Sequence, residues 1–203
     1  YGYVHYKDGT RLGDREGDMP QFDPAVITEG AKTYMYTAFC GNKMKERIGA
    51  MATVLGKDML TVEEEPAVIV PGDCYAQEEK AALAAVKENA AAAACPYRLS
   101  SVQNWAGFKG HEFFEASSIR KIGDVYYFVY SSAVMHELCY ATNKHQGKDF
   151  RFGGVIVSNC DRGIDSYKPA MKPMYYGANN HGGLERIGGD YYIFYHRHTD
   201  GTN

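Results

Sequence analysis

The sequence predicts an all-β fold made of repeated blades, and three observations carry that prediction. The first is self-similarity. Residues 23–38 (DPAVITEGAKTYMYTA), 115–130 (EASSIRKIGDVYYFVY) and 180–195 (NHGGLERIGGDYYIFY) align without gaps, with an aliphatic four positions on (Ile27, Ile119, Leu184) and a tyrosine eleven on (Tyr34, Tyr126, Tyr191). The second is composition: 17 Tyr and 22 Gly suit strands joined by tight turns. The third is that helical character is confined to a single Ala-rich run, between Ala76 and Cys95.

Each copy reads as a β-hairpin, in which a short apolar strand and a Gly-containing turn lead into a β-rich strand such as 125–130 (VYYFVY). Residues 51–55, 67–70, 137–142 and 154–158 supply further strands, giving about four per repeat, which is the make-up of a propeller blade. The copies start at 23, 115 and 180, so the spacings are 92 and 65 residues. The Ala-rich run accounts for the difference and predicts a helical insertion over about residues 76–95, either a decoration on the rim or a lid beside the site. About three blades fit in 203 residues. Rings close with four to eight blades, because closure protects strand edges. The expectation is therefore one partial propeller domain over residues 1–203, an internal fragment or a piece that completes its ring with a partner, whose open blade edges favour self-association.

Composition narrows the partners. Hydrophobic residues make up 45% and charged residues 23%, the formal net charge is −3, and no basic run is present, which argues against nucleic acid and anionic membrane. No stretch of 18 apolar residues occurs. The chain opens on Tyr1, so a truncated N-terminus is expected, and the sequence leaves cytoplasmic and secreted locations both open. The five cysteines, at 40, 74, 95, 139 and 160, have no C-x-x-C spacing and are expected as buried thiols; Cys74 and Cys95, which flank the insertion, could pair in an oxidising compartment.

The residues that carry chemistry follow from the repeat. The first strand of a blade lines the central channel, so polar residues at its start converge on the axis. Those positions hold Asp23, Glu115 and Asn180, with His181 beside the last. Trp105 and Phe108, just before the strand that holds Glu115, are aromatic candidates for stacking on the apolar face of a ligand, against a plain core role. Asp14 and Asp18 lie in a Gly-rich loop and read as turn residues. His196 and His198 alternate at a strand end, where a solvated rim is a simpler reading than a zinc pair.

The motifs FDPAVITEGAKTYMY around Asp23, HEFFEASSIRKIGDVYYFVYSS around Glu115 and NNHGGLERIGGDYYIFYHRH around His181 resemble those of glycoside hydrolase family 43, in the family's order and at blade spacing. That family consists of five-bladed β-propellers acting on arabinose- and xylose-containing polysaccharides. The resemblance implies an inverting hydrolase releasing α-L-arabinofuranosyl or β-D-xylosyl residues from hemicellulose fragments, such as arabinoxylan or arabinan in the plant cell wall. It implies Glu115 as general acid, Asp23 as the neighbour that modulates its protonation, and a base on a first blade that lies outside this chain. Asn180, His181, Phe114 and Trp105 would contact substrate. No cofactor is required; a calcium ion in the central channel, faced by His181 through water, is the optional one. The sequence departs from the family where Ala-Ser-Ser follows Glu115, since many relatives carry Gly-Pro there. The alternative is a truncated propeller serving as a non-catalytic carbohydrate-binding or structural fragment.

Overall fold

A computed structural model describes residues 2–15, 18, 21–38, 49–72, 98–99, 106–134, 136–158 and 180–196. Its named elements are all strands. Ala25–Glu29 (β1), Lys32–Thr37 (β2), Gly49–Leu55 (β3) and Val62–Pro71 (β4) form one antiparallel blade in chain order, and Arg98–Leu99 (β5) adds to it in parallel beside β4. Phe113–Ile122 (β6), Val125–Ser132 (β7), Leu138–Asn143 (β8) and Arg151–Val157 (β9) form a second, fully antiparallel blade. Gly182–Ile187 (β10) and Asp190–Tyr195 (β11) make the first hairpin of a third. The expected outer strands are present: residues 67–70 became the second half of β4, whose first half is the charged stretch Glu63, Glu64 and Glu65, and residues 137–142 recur as β8, shifted by one. The Ala-rich insertion, Trp105, His198 and the cysteines other than Cys139 lie outside the described residues. Cys139 is a buried free thiol, as expected. Among the described residues, no helix is long and apolar enough to cross a membrane.

The three innermost hairpins share one turn. Glu29 faces Lys32, Ile122 faces Val125 and Ile187 faces Asp190 across two-residue loops whose first residue is Gly30, Gly123 or Gly188. Each of these glycines has a positive φ of 60 to 64°, while the second loop residue does not, which is the type II′ geometry that a Gly-X loop selects.

Register anchored on these turns corrects the gap-free alignment. Asp23 and His181 each lie seven residues before their turn glycine, whereas Glu115 lies eight before Gly123. The extra residue is absorbed by a β-bulge: Glu115 pairs with Ser131 and Ser118 with Val129, so two residues of β6 oppose one of β7. Ala116, inside the bulge, has φ 66°. The structurally equivalent positions are therefore Asp23, Glu115 and His181, and Asn180 sits one residue short of them. Asp23 and His181 precede the first residues of β1 and β10, and Glu115 is the third residue of β6.

The core lies between the first two blades. Tyr36, Met51 and Ile69 of the first blade pack with Phe113, Phe128, Tyr130 and Phe150 of the second, all fully buried. Phe128 is the hub, with ring centroids of Tyr36, Phe113, Tyr130 and Phe150 at 5.7 to 6.2 Å. Truncating such a ring typically costs about 3–5 kcal/mol. Polar contacts tie the blades at the end remote from Asp23: Glu29 of the first blade bonds Lys121, Tyr126 and Gln146 of the second, and Arg120 of the second donates to the Leu184 carbonyl and pairs with Glu185 of the third. These clamps hold neighbouring inner strands side by side, which is what brings their starts together.

Candidate active site

The inner strands β1, β6 and β10 begin at the same end of the sheet stack, and there Asp23, Glu115 and His181 meet. One ligand atom from each lies within 4.8 Å of the others. His181 Nε2 is 3.1 Å from Glu115 Oε1, and His181 Nδ1 is 3.9 Å from Asp23 Oδ2. The imidazole thus bridges the two carboxylates, and its ring is stacked against His196 with centroids 5.3 Å apart.

Local backbone explains the convergence. Asp23 has φ 45°, in the left-handed region that Asp tolerates better than most residues, and the proline after it fixes the entry to β1. Its Oδ2 accepts a hydrogen bond from the Ala116 N–H at 3.3 Å. Asp23 therefore pins the bulge next to Glu115, in addition to facing His181. Gly182 is required on the opposite side, because a Cβ there would lie 2.7 Å from Leu138 Cδ2 and 3.0 Å from the Phe194 carbonyl oxygen. An open cleft of about 170 Å³ runs between these strand starts, lined by Asp23, Pro24, Ala116, Ser117, His181 and Gly182.

Burial grades the three groups. The Glu115 side chain is only 11% exposed, against about a third for Asp23 and His181. Glu115 is thus withdrawn behind the cleft, while the other two face it. Asn180 is fully buried, and neither atom of its amide has a hydrogen-bond partner among the described residues. Phe114 is buried, with its ring against His136 instead of on the cleft. Phe108 is fully buried in the core. Asp18 is a loop-forming residue: its carboxylate accepts hydrogen bonds from the Tyr6 hydroxyl and the Gly13 and Arg15 amides. Asp14 is exposed.

Two features carried no sequence signal. One is the bulge, since nothing in EASS marks Ala116 as left-handed. The other is His136, on the loop between β7 and β8, whose Nδ1 lies 3.8 Å from Glu115 Oε1. Loop residues leave no periodicity to read.

Calcium takes six to eight oxygen ligands. Here three groups converge, one of them a nitrogen, and His181 Nε2 is already directed at Glu115. These residues do not form a calcium cage.

No family model matches the sequence. A curated xylosidase/arabinosidase of Thermoclostridium stercorarium is 62% identical over all 203 residues, which span 37% of that protein. A xylosidase/arabinosidase of Bacteroides ovatus is 33% identical over 91 residues, 45% of this chain and 23% of that protein. Among solved structures, a family 43 β-xylosidase/α-arabinofuranosidase from a compost metagenome, in complex with xylotriose and in a calcium-free form, superposes with a TM-score of 0.56 at 21% identity, covering 90% of this chain and 50% of that one. A family 43 arabinoxylan arabinofuranohydrolase from Bacillus subtilis, in complex with cellotetraose, gives 0.55 at 17% identity over 93% of this chain and 34% of that one. The chain thus spans well under two thirds of the relatives it matches, and its blades are part of their propeller. The chain's motifs resemble those of glycoside hydrolase family 43, it shares the fold of that family's solved members, and its curated relatives carry xylosidase/arabinosidase names.

Proposed function

We propose that the protein carrying this segment is an inverting glycoside hydrolase that releases α-L-arabinofuranosyl or β-D-xylosyl residues from hemicellulose fragments, with Glu115 as general acid. The observation that carries the reading is the placement of Glu115: a largely buried carboxyl at the start of an inner strand, flanked by His181 and Asp23 beside an open cleft. In the reaction, the Glu115 proton passes to the departing glycosidic oxygen as the anomeric carbon–oxygen bond breaks. Water attacks the opposite face of the sugar and gives its proton to a base supplied from outside these residues.

Asp23 is not that base. Inverting pairs stand about 6.5–9.5 Å apart to admit a water, and the nearest approach of Asp23 to the Glu115 carboxylate is under 4.8 Å. The distance suits a residue that orients the acid. Asp23 does so through the Ala116 amide, and His181 does so by meeting Oε1. Names of relatives support the sugar class: two of the curated relatives are called xylosidase/arabinosidase and a third β-xylosidase.

The test is Glu115→Gln in the full-length enzyme. Hydrolysis of unactivated xylo- or arabino-oligosaccharides should fall by about 10²- to 10⁴-fold. Nitrophenyl glycosides, whose leaving group needs no proton, should lose far less. Product released by the unaltered enzyme should appear first as the inverted anomer by NMR. Equal losses on both substrate types would remove Glu115 from the acid role.

A further inference from the structure

We propose that His136 is a positioning residue for Glu115, holding carboxylate oxygen Oε1 jointly with His181 so that Oε2 is the oxygen that carries the proton to the sugar. The proposal rests on the reading of Glu115 as general acid.

Four observations lead to it. First, two imidazoles from different blades flank the same oxygen: His181 Nε2 at 3.1 Å and His136 Nδ1 at 3.8 Å from Oε1. No hydrogen bond or ion pair among the described residues falls on Oε2. A protonated carboxyl has one carbonyl-like oxygen and one hydroxyl. Whichever oxygen accepts from N–H donors is the carbonyl-like one, so with each imidazole in the tautomer that carries its proton on the nitrogen facing Oε1, the carboxyl proton is directed to Oε2.

Second, the His136 ring is fixed. It lies 4.4 Å from the buried Phe114 ring at 58°, and its side chain is 16% exposed. Phe114 immediately precedes the acid on β6, so ring and carboxylate are set by one strand.

Third, the loop that presents His136 is anchored on both sides. Ser132 N–H donates to the Glu137 carbonyl, Glu137 N–H donates to Ser132 Oγ, and Ala133 N–H donates to the Glu112 carbonyl. The Glu137 carboxylate accepts from Ser158 Oγ. A side chain on such a support is held in place as a catalytic geometry requires.

Fourth, His136 has φ 50°. A turn that needed only a left-handed residue would be served at least cost by Gly or Asn. Keeping a histidine there retains backbone strain of order 1–3 kcal/mol, and such strain concentrates at functional sites. At 3.8 Å the contact exceeds hydrogen-bond length. Catalytic contacts of this kind tighten when substrate closes the site, so the expected effect lies in the chemical step.

The experiment compares His136→Asn and His136→Gly in the full-length enzyme, with Glu115→Gln alongside. Both His136 variants tolerate the left-handed backbone and remove the ring. On an unactivated oligosaccharide, kcat should fall by about 10- to 100-fold, the scale of a misplaced catalytic group. KM should stay within about twofold, since no ground-state contact is lost. On a nitrophenyl glycoside kcat should change by less than about threefold, because that leaving group does not need the proton. Equal losses on both substrates, a change confined to KM, or no change at all would overturn the proposal while the leaving-group selectivity of Glu115→Gln left the acid assignment standing. Loss of the folded state in both variants, read by circular dichroism, would likewise overturn it and make His136 a structural residue. A Glu115→Gln enzyme with equal losses on both substrates would bring down the acid reading and this proposal together.

Discussion

The inner strands β6 and β10 start from the same place in their blades and reach the same cleft by different means. β10 pairs with β11 in unbroken register from Gly182 to Ile187, and His181 simply precedes it. β6 carries one more residue between its site position and its turn, and a bulge at Ala116 takes up the excess. The difference shows in burial. His181 lies a third exposed at the cleft, whereas Glu115 is withdrawn and enclosed by His181, His136 and Phe114. A repeat thus provides three equivalent positions, and a local irregularity makes one of them chemically distinct. Bulges bend a strand and re-aim a side chain, and here the bulge is held by a neighbouring blade, through Asp23 Oδ2 and the Ala116 amide.

The comparison can be broken by deleting Ala116 in the full-length enzyme, which gives β6 the count of β10. Glu115 would then sit seven residues before Gly123, as His181 does before Gly188. If the bulge aims the carboxylate, hydrolysis of unactivated substrates should fall by about 10²-fold, as expected for a misplacement of order 1 Å. Circular dichroism should remain that of a folded β protein. Retained activity would reduce the bulge to a spacer.

A smaller effect sharpens the same point. Ala116→Gly keeps the bulge and removes the left-handed strain of φ 66°. Relief of about 1–2 kcal/mol is opposed by loss of a buried methyl worth about 0.8 kcal/mol. The net should be a stabilisation of at most about 1 kcal/mol, read as a small rise in Tm with activity unchanged. A clear destabilisation would mean that the methyl, 5% exposed, matters more to packing than the backbone does to strain.

Much of this was legible in the sequence, and the physical reason is periodicity. The hairpins and the outer strands follow from alternation and turn glycines, and they recur in the described residues as two blades and the first hairpin of a third. Asp23, Glu115 and His181 were readable as a group because a repeat maps equivalent positions onto one axis. What could not be read is what breaks the repeat. The gap-free alignment paired Asn180 with Asp23 and Glu115, because a bulge adds a residue without leaving a mark in composition. Asn180 is in fact fully buried one position short of the site. Phe114, expected against sugar, has its ring against His136, a contact that only the tertiary structure sets. His136 itself came from a loop, where only tertiary structure sets what a side chain meets.

The most direct test of the central claim, that Asp23, Glu115 and His181 form one catalytic cleft with Glu115 at the leaving oxygen, is a crystal structure of the full-length Glu115→Gln protein with a xylo- or arabino-oligosaccharide. The account predicts the scissile glycosidic oxygen within hydrogen-bond reach, about 2.6–3.2 Å, of the side chain at position 115, with Asp23 and His181 on the same wall of the cleft. An oligosaccharide bound productively with its scissile oxygen out of reach of that side chain would contradict it.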